Sequence, residues 1–234
     1  MQQFTIHPMI HRAGLGGMDQ YAGGTDKTIS GQGYVAHYDA YFNHLRSQKV
    51  RLLELGIGCS HECPSLRMWE KYFPNGDIFG VDITPAVASY QGRAKTIVGN
   101  LEDPLVVANI KAAVGICDII IDDASHHVIQ QQKLFKEFWP MVKNNGLYVI
   151  EDLCGSYMKA FGGGYKQKDT TMEMLKSLID CVNHAFYKVT SFWPHMAQYG
   201  EAPVSDSVTA YDKEIASMHF YRNIAFIFKG VPSE

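Results

Sequence analysis

Two apolar runs end in titratable side chains. Asp122, Asp123 and His126 follow the run 117–121, and Glu151 and Asp152 follow the run 147–150. If both runs are strands of an open parallel sheet, ligands collect outside their carboxyl ends. Neighbouring strands would then crowd four carboxylates into one crevice, where unpaired like charges repel or take up protons. A bound divalent cation removes that conflict. Carboxylate oxygens suit a hard ion, Mg²⁺ or Mn²⁺, better than they suit zinc, and Asp123, Glu151 and Asp152 are the expected ligands. The alternative is that these acids cap the following helices or pair with Lys and Arg. His126 lies three positions after Asp123 and returns over the same turn. An imidazole titrating near ~6.5 can take the proton of a hydroxyl whose acidity a cation has raised. A ligand or structural role is the other reading of His126, and His127 is expected to pack or to face solvent.

A second constellation stands at the end of an earlier run. Glu54-Leu-Gly56-Ile-Gly58 follows 50–53 directly, so its glycines fall where the backbone turns beside whatever binds there. A dinucleotide fingerprint would continue to a third glycine at fixed spacing. Cys59-Ser60-His61 stands there instead, so a pyrophosphate cradle is the weaker reading. Glu54 and Asp82 offer carboxylates to an amine and to ribose hydroxyls, which is what S-adenosylmethionine presents. Asp82 alone would also suit the ribose of NAD, and the glycines alone would suit a plain tight turn. Glu54, Gly56, Gly58, Asp82 and Asn100, with Asp123, are the expected cofactor-binding residues.

The elements that must position these groups alternate. Strands are predicted over 50–56, 78–83, 95–99, 117–122 and 147–151, apolar nearly throughout, as strands covered on both faces are. Between them Pro64 opens a helix, Asp103-Pro104 caps and opens another, and 128–142 carries apolar residues at helical spacing. Asn144-Asn145-Gly146 is expected to stop that last helix. Near the C-terminus two short strands joined at Arg222-Asn223 would add an antiparallel hairpin. The expected class is therefore α/β, a mostly parallel sheet with helices on both faces. One domain is expected over 1–234, with residues 1–45 a helical or lid segment and 46–234 the core. In that segment Tyr34, Tyr38, Tyr41 and Phe42 fall at helical spacing, as a packed helix or a lid would place them. Phe161-Gly-Gly-Gly-Tyr165 is either a linker or a mobile loop beside the site.

Composition narrows the partners. The 234 residues are 46% hydrophobic and 19% charged with a formal net charge of -3, so there is no basic field for nucleic acid and a small or neutral substrate fits better. No run approaches ~20 apolar residues and the first residues do not read as a signal peptide; a cytoplasmic location is expected. Five cysteines suit free thiols, and Cys59-Ser60-His61-Glu62-Cys63 lacks the second ligand pair of a zinc site.

With these residues in place the chain resembles the metal-dependent sugar O-methyltransferases of macrolide biosynthesis, the macrocin and mycinamicin type. The likeness runs through GTDK (24–27), ELGIG (54–58), SLRMWEKYFP (65–74), IDDASH (121–126), LYVIEDLCGSY (147–157), LKSLIDCVNH (175–184) and HFYRNIAFIFKG (219–230). The resemblance implies a Rossmann-like class I methyltransferase fold with a seven-stranded sheet, S-adenosylmethionine as donor, and Mg²⁺ gripping neighbouring hydroxyls of a sugar. It also implies metal ligands at Asp123, Glu151 and Asp152, a base at His126, and a homo-oligomer. The chain is expected to lack the additional N-terminal domain that some members carry. The function so expected is methylation of a sugar hydroxyl on a glycosylated natural product. A catechol-type or phenol methyltransferase, a non-catalytic S-adenosylmethionine-binding protein and an NAD-linked oxidoreductase are the alternatives.

Overall fold

The computed structural model describes residues 17–58, 61–183, 195, 198 and 209–231. Its contacts gather into two compact units, Met1–Ala124 and Ser125–Glu234. The expected N-terminal segment is thus described from residue 17 onward.

The first unit is built on four parallel strands in the order β3-β2-β1-β4. These are β1 Arg51–Leu55, β2 Asp77–Asp82, β3 Lys95–Val98 and β4 Cys117–Asp122. Leu52, Leu53, Val81, Ile119, Ile120 and Ile121 are fully buried. Each such side chain removed from water stabilises the fold by about 1.5–3 kcal/mol. Strand β1 stops one residue short of the expected 56 because Gly56 turns to φ 88. Strand β2 stops before Ile83, which is exposed. Strand β3, at the sheet edge, ends before Gly99.

The helices of this unit start as their sequences direct. In α1 (Tyr34–Phe42) the aromatic stripe faces inward, with Tyr34, Tyr38 and Phe42 buried. Tyr38 meets Trp69 edge-on at 5.1 Å between ring centroids, and Phe42 lies 6.0 Å from Phe73. The surface that α1 meets is thus α2 (Pro64–Tyr72) and the Phe73 that follows it. Helix α2 carries Pro64 in its first turn, where a missing N–H costs nothing. Helix α3 (Pro104–Val114) is capped by Asp103, whose side chain accepts from the Leu105 amide at 2.8 Å.

The second unit holds β5 (Val142–Ile150), β6 (Ile215–Tyr221) and β7 (Ile224–Lys229) in the antiparallel order β5-β7-β6. The two-residue connection at Arg222-Asn223 forms as predicted, with Tyr221 opposite Ile224 and Asn223 at φ 69. Helices α4 (Val128–Phe138), α5 (Thr171–Val182) and α6 (Ala210–Glu214) belong to this unit. One expectation is corrected here. Asn144-Asn145-Gly146 does not stop α4; a short turn at Trp139–Met141 does, and the three residues lie inside β5. Asn145 sits at φ 63, a conformation Asn tolerates better than most side chains, so the signal marks an irregular strand start.

The hairpin is fastened to the rest of its unit by charge. Lys229, almost fully buried at the end of β7, pairs with Glu214 at 3.1 Å. The same Glu214 carboxylate accepts from the Trp139 indole at 2.7 Å, and the ammonium lies 5.3 Å from the Trp139 ring centroid. Removing one partner strands a buried charge, whereas removing both does not. Glu214→Gln should therefore lower the unfolding free energy by about 2 kcal/mol in urea denaturation, and Lys229→Met in that background should restore much of the loss. Equal losses in the single and double variants would show that the pair does not fasten the hairpin.

Candidate functional site

In the first unit the chemistry converges on one lysine. Lys27 is 1% exposed; its ammonium lies 2.5 Å from Asp123 Oδ2 and 3.6 Å from Glu54 Oε1. The glycine-rich loop delivers it: the Lys27 amide donates to Thr25 Oγ1 at 3.3 Å, and its carbonyl accepts from the Val35 amide at the start of α1 at 3.0 Å. Glu54, on β1, is 0% exposed. Its Oε2 accepts from Ser65 Oγ at 2.7 Å and from the Trp69 indole at 3.2 Å, both on α2. Burial pushes the Glu54 carboxyl up to about 7 and the neighbouring Asp123 charge adds to the rise. Lys27 and the two α2 donors oppose it.

The glycine turn closes against the segment after β4. A Cβ on Gly56 would lie 2.1 Å from the Asp123 carbonyl oxygen and 2.6 Å from Ala124 Cα, at φ 88, so no other residue fits. The Asp123 amide donates to Leu55 O at 2.8 Å and the Gly56 amide to Val81 O at 2.8 Å. Gly58 is the opposite case: its φ is 85, but no described residue lies within 4 Å of a Cβ there. Asp82 braces the turn, its Oδ2 accepting from the Ile57 amide at 3.1 Å and its Oδ1 from the Thr84 amide at 2.8 Å. Asn100 closes its own turn, its side-chain oxygen accepting from the Glu102 amide at 2.9 Å. Asp122 is fully buried, with Oδ1 accepting from the Ala124 amide at 3.4 Å. Cys59 and Ser60 lie outside the described residues; Cys63, where α2 begins, is a buried thiol outside any disulfide, which burial pushes up to about 11.

In the second unit His126 and Asp152 meet. The His126 Nε2 lies 3.5 Å from Asp152 Oδ2, and both side chains are partly buried. Both residues take positive φ, 57 and 52, conformations that cost a non-glycine residue about 1–2 kcal/mol and collect at functional sites. The His126 Nδ1 is buried with no hydrogen-bond partner among the described residues, and the ring meets Phe161 edge-on at 6.3 Å. Glu151 is 1% exposed; its carbonyl accepts from Gln131 at 2.9 Å, and Gln131 in turn accepts from Thr171 at 2.8 Å. His127 precedes α4, partly buried, beside Gly162. The 161–165 segment is hydrogen-bonded to its own unit, Gly163 donating to Met158 O and Gly164 to Ser156 O, each at 3.0 Å.

Two residues here were not singled out from the sequence. Lys27 stood in the GTDK motif without a role, since nothing local says that a loop lysine turns inward. Asn223 was read as a turn residue only. Its Nδ2 donates to Asp152 Oδ1 at 2.7 Å, its Oδ1 accepts from the Cys154 amide at 2.6 Å, and its carbonyl accepts from the Leu153 amide at 3.1 Å. The hairpin turn therefore fixes the chain just past β5 and the orientation of Asp152.

Two measurements check this geometry. A carboxyl that is harder to ionise folded than unfolded contributes stability below the ordinary carboxylate range and loses it as pH rises through the folded value. Wild-type unfolding free energy should thus carry a decline between about pH 5 and about pH 8 that Glu54→Gln lacks; parallel profiles would place the Glu54 titration elsewhere. Asn223→Gly, which keeps the backbone of the turn, should cost about 1–2 kcal/mol in urea denaturation by unpairing Asp152 Oδ1 and the Cys154 amide. Asn223→Ala should cost more, because it adds backbone strain. A neutral Asn223→Gly would show that the turn does not hold Asp152.

No family model matches the chain. Demethylmacrocin O-methyltransferase of Streptomyces fradiae is 36% identical to it over 209 residues, covering 86% of this chain and 49% of that protein. The 8-demethyl-8-(2-methoxy-alpha-L-rhamnosyl)-tetracenomycin-C 3'-O-methyltransferase of Streptomyces olivaceus is 37% identical over 205 residues, covering 84% and 49%. Among solved structures, the MycE methyltransferase of the mycinamycin biosynthetic pathway, in complex with Mg, SAH and mycinamycin VI, superposes with a TM-score of 0.75 at 32% identity, covering 91% of this chain and 54% of that one. The chain spans about half the length of the curated relatives it matches. Along the length they share, sequence and fold make this chain a homologue of the macrolide and tetracenomycin sugar O-methyltransferases, with the class I methyltransferase fold.

Proposed function

We propose that this chain is an S-adenosylmethionine- and Mg²⁺-dependent O-methyltransferase that acts on a sugar hydroxyl of a glycosylated natural product. The observation that carries the reading is His126 Nε2 lying 3.5 Å from Asp152 Oδ2 just beyond the carboxyl end of β5, an imidazole oriented by a carboxylate. Homology to sugar O-methyltransferases supplies the substrate class, and the MycE complex with Mg and SAH supplies the cofactor pair.

The donor set fits a hard cation. Asp123, Glu151 and Asp152 offer only carboxylate oxygens, and these are the residues that would hold it. When bound, the ion raises the acidity of a coordinated hydroxyl. At the ring nitrogen not turned to Asp152, His126 would accept the hydroxyl proton, and Asp152 Oδ2 would stabilise the imidazolium that results. Asn223 keeps Asp152 in the orientation this needs. For the donor, Gly58 leaves its backbone open to close approach, Gly56 and Asp82 fix the turn, and the Glu54 carboxylate supplies negative charge beneath it. Asn100 stands past the end of β3, where the adenosine end is read. In-line alignment of oxygen, methyl and sulfur contributes much of the rate. A homo-oligomer acting in the cytoplasm belongs to the same reading; no described helix is long and apolar enough to cross a membrane.

The test is incubation with isotope-labelled S-adenosylmethionine, Mg²⁺ and glycosylated metabolites, with mass spectrometry of the products. A sugar-borne labelled methyl group is expected; transfer only to phenols would move the chain to the catechol type. Tight donor binding with no transfer to either would make it a binding protein. His126→Ala should lower turnover by about 10²–10⁴-fold, the usual worth of a general base, while leaving donor affinity measurable by calorimetry. EDTA should abolish turnover and Mg²⁺ should restore it; an EDTA-insensitive enzyme would remove the metal from the mechanism.

A further inference from the structure

Lys27 is an unusual neighbour for a metal ligand. A cation buried to 1% exposure is costly unless carboxylates answer it, and here two do so unequally. Asp123 Oδ2 holds the ammonium at 2.5 Å in a hydrogen bond, while Glu54 Oε1 stands off at 3.6 Å. The two Glu54 oxygens differ sharply. Oε2 accepts from Ser65 and Trp69, whereas Oε1 is buried and accepts no hydrogen bond among the described residues. That oxygen is a waiting acceptor about one ångström of side-chain movement from the lysine. The backbone does not have to follow, because Lys27 is fixed at its amide by Thr25 and at its carbonyl by Val35, and a four-carbon stem gives the ammonium its reach.

We propose that Lys27 is the resident counter-ion of Asp123, which an arriving divalent cation must displace toward Glu54 Oε1, so that this side chain sets how weakly the cation is held. The proposal rests on the assignment of Asp123 as a metal ligand. In the cation-free protein the ammonium neutralises Asp123 and keeps its carboxylate aimed. A divalent cation at the same oxygen meets a like charge a few ångströms away, and Coulomb repulsion at that range lowers its affinity unless the ammonium retreats. Glu54 gives it the place to retreat to. Lys27 is thus a positioning residue acting through Asp123.

The proposal is tested by calorimetric titration of MgCl₂ into the full chain without donor. Lys27→Met should bind Mg²⁺ more tightly by roughly tenfold, Lys27→Arg should stay within about threefold of wild type because the charge is kept, and Asp123→Asn should lose the site. Should Lys27→Met not fold, Lys27→Met/Glu54→Gln compared with Glu54→Gln keeps the buried charges balanced, and the same roughly tenfold gain is expected. In the unaltered protein the Lys27 Nζ resonance in ¹⁵N NMR, identified by its absence from Lys27→Arg, should move as MgCl₂ is added. Unchanged or weaker Mg²⁺ binding on loss of Lys27, or a stationary Nζ resonance, overturns the counter-ion role. Wild-type affinity in Asp123→Asn overturns instead the ligand assignment beneath it.

Discussion

Negative charge placed where water cannot reach it is the constraint from which the rest of this structure follows. Glu54, fully buried on β1, and Asp123, partly buried just past β4, lie in the first unit beside the buried aliphatic side chains Leu52, Leu53, Ile119, Ile120 and Ile121, and a carboxylate withdrawn from water needs a partner. Lys27 is that partner, and much of the N-terminal segment exists to deliver it. The Thr25 hydroxyl and the first turn of α1 hold its backbone, and α1 is pinned through Tyr38 and Phe42 to the aromatic face of α2. Helix α2 also sends Ser65 and Trp69 back to Glu54. What looks like a decorative aromatic stripe is the mount for one ammonium group.

The second unit meets the same demand by other means. Within its own unit, Asp152 is met by an amide, Asn223, and an imidazole, His126. Neutral donors orient a carboxylate without cancelling its charge. That distinction matters chemically, because a carboxylate meant to hold a cation or to steady an imidazolium must keep its charge while losing its freedom. The cost shows in the backbone, since His126, Asp152 and Asn223 all sit at positive φ. Three non-glycine residues in that conformation, neighbours through Asp152, are strain retained where geometry has to be right.

The pattern of legibility follows from locality. Runs such as Cys117–Asp122 could be read as a strand because apolar continuity is a property of neighbours in sequence, and Asp103-Pro104 because a cap acts across one turn. The tight connection at Arg222-Asn223 was legible for the same reason. Lys27 was not, since its meaning depends on groups 27 and 96 positions away that only folding brings near. The role of Asn223 was hidden likewise, as a turn residue already has a local explanation and a second one leaves no mark in sequence. Asn144-Asn145-Gly146 misled because a left-handed Asn serves equally to end a helix and to kink a strand, and only the pairing of Leu147 to Ile150 with β7 decides between them.

Glycine spacing shows how far a motif can be taken. In Glu54-Leu-Gly56-Ile-Gly58 the two glycines have nearly the same φ, yet they are needed for different reasons. Gly56 makes room for the protein's own backbone, the carbonyl of Asp123, so the turn after β1 and the segment after β4 can only move together. Among the described residues nothing lies against a Cβ at Gly58, so its lack of a side chain is not demanded by the protein's own packing there. A ligand lying on Gly58 therefore bears on a loop whose next fixed point, two residues back, is clamped to the proposed cation ligand. The turn after β1 and the segment after β4 thus meet backbone to backbone at Gly56 and Asp123, with no side chain between them.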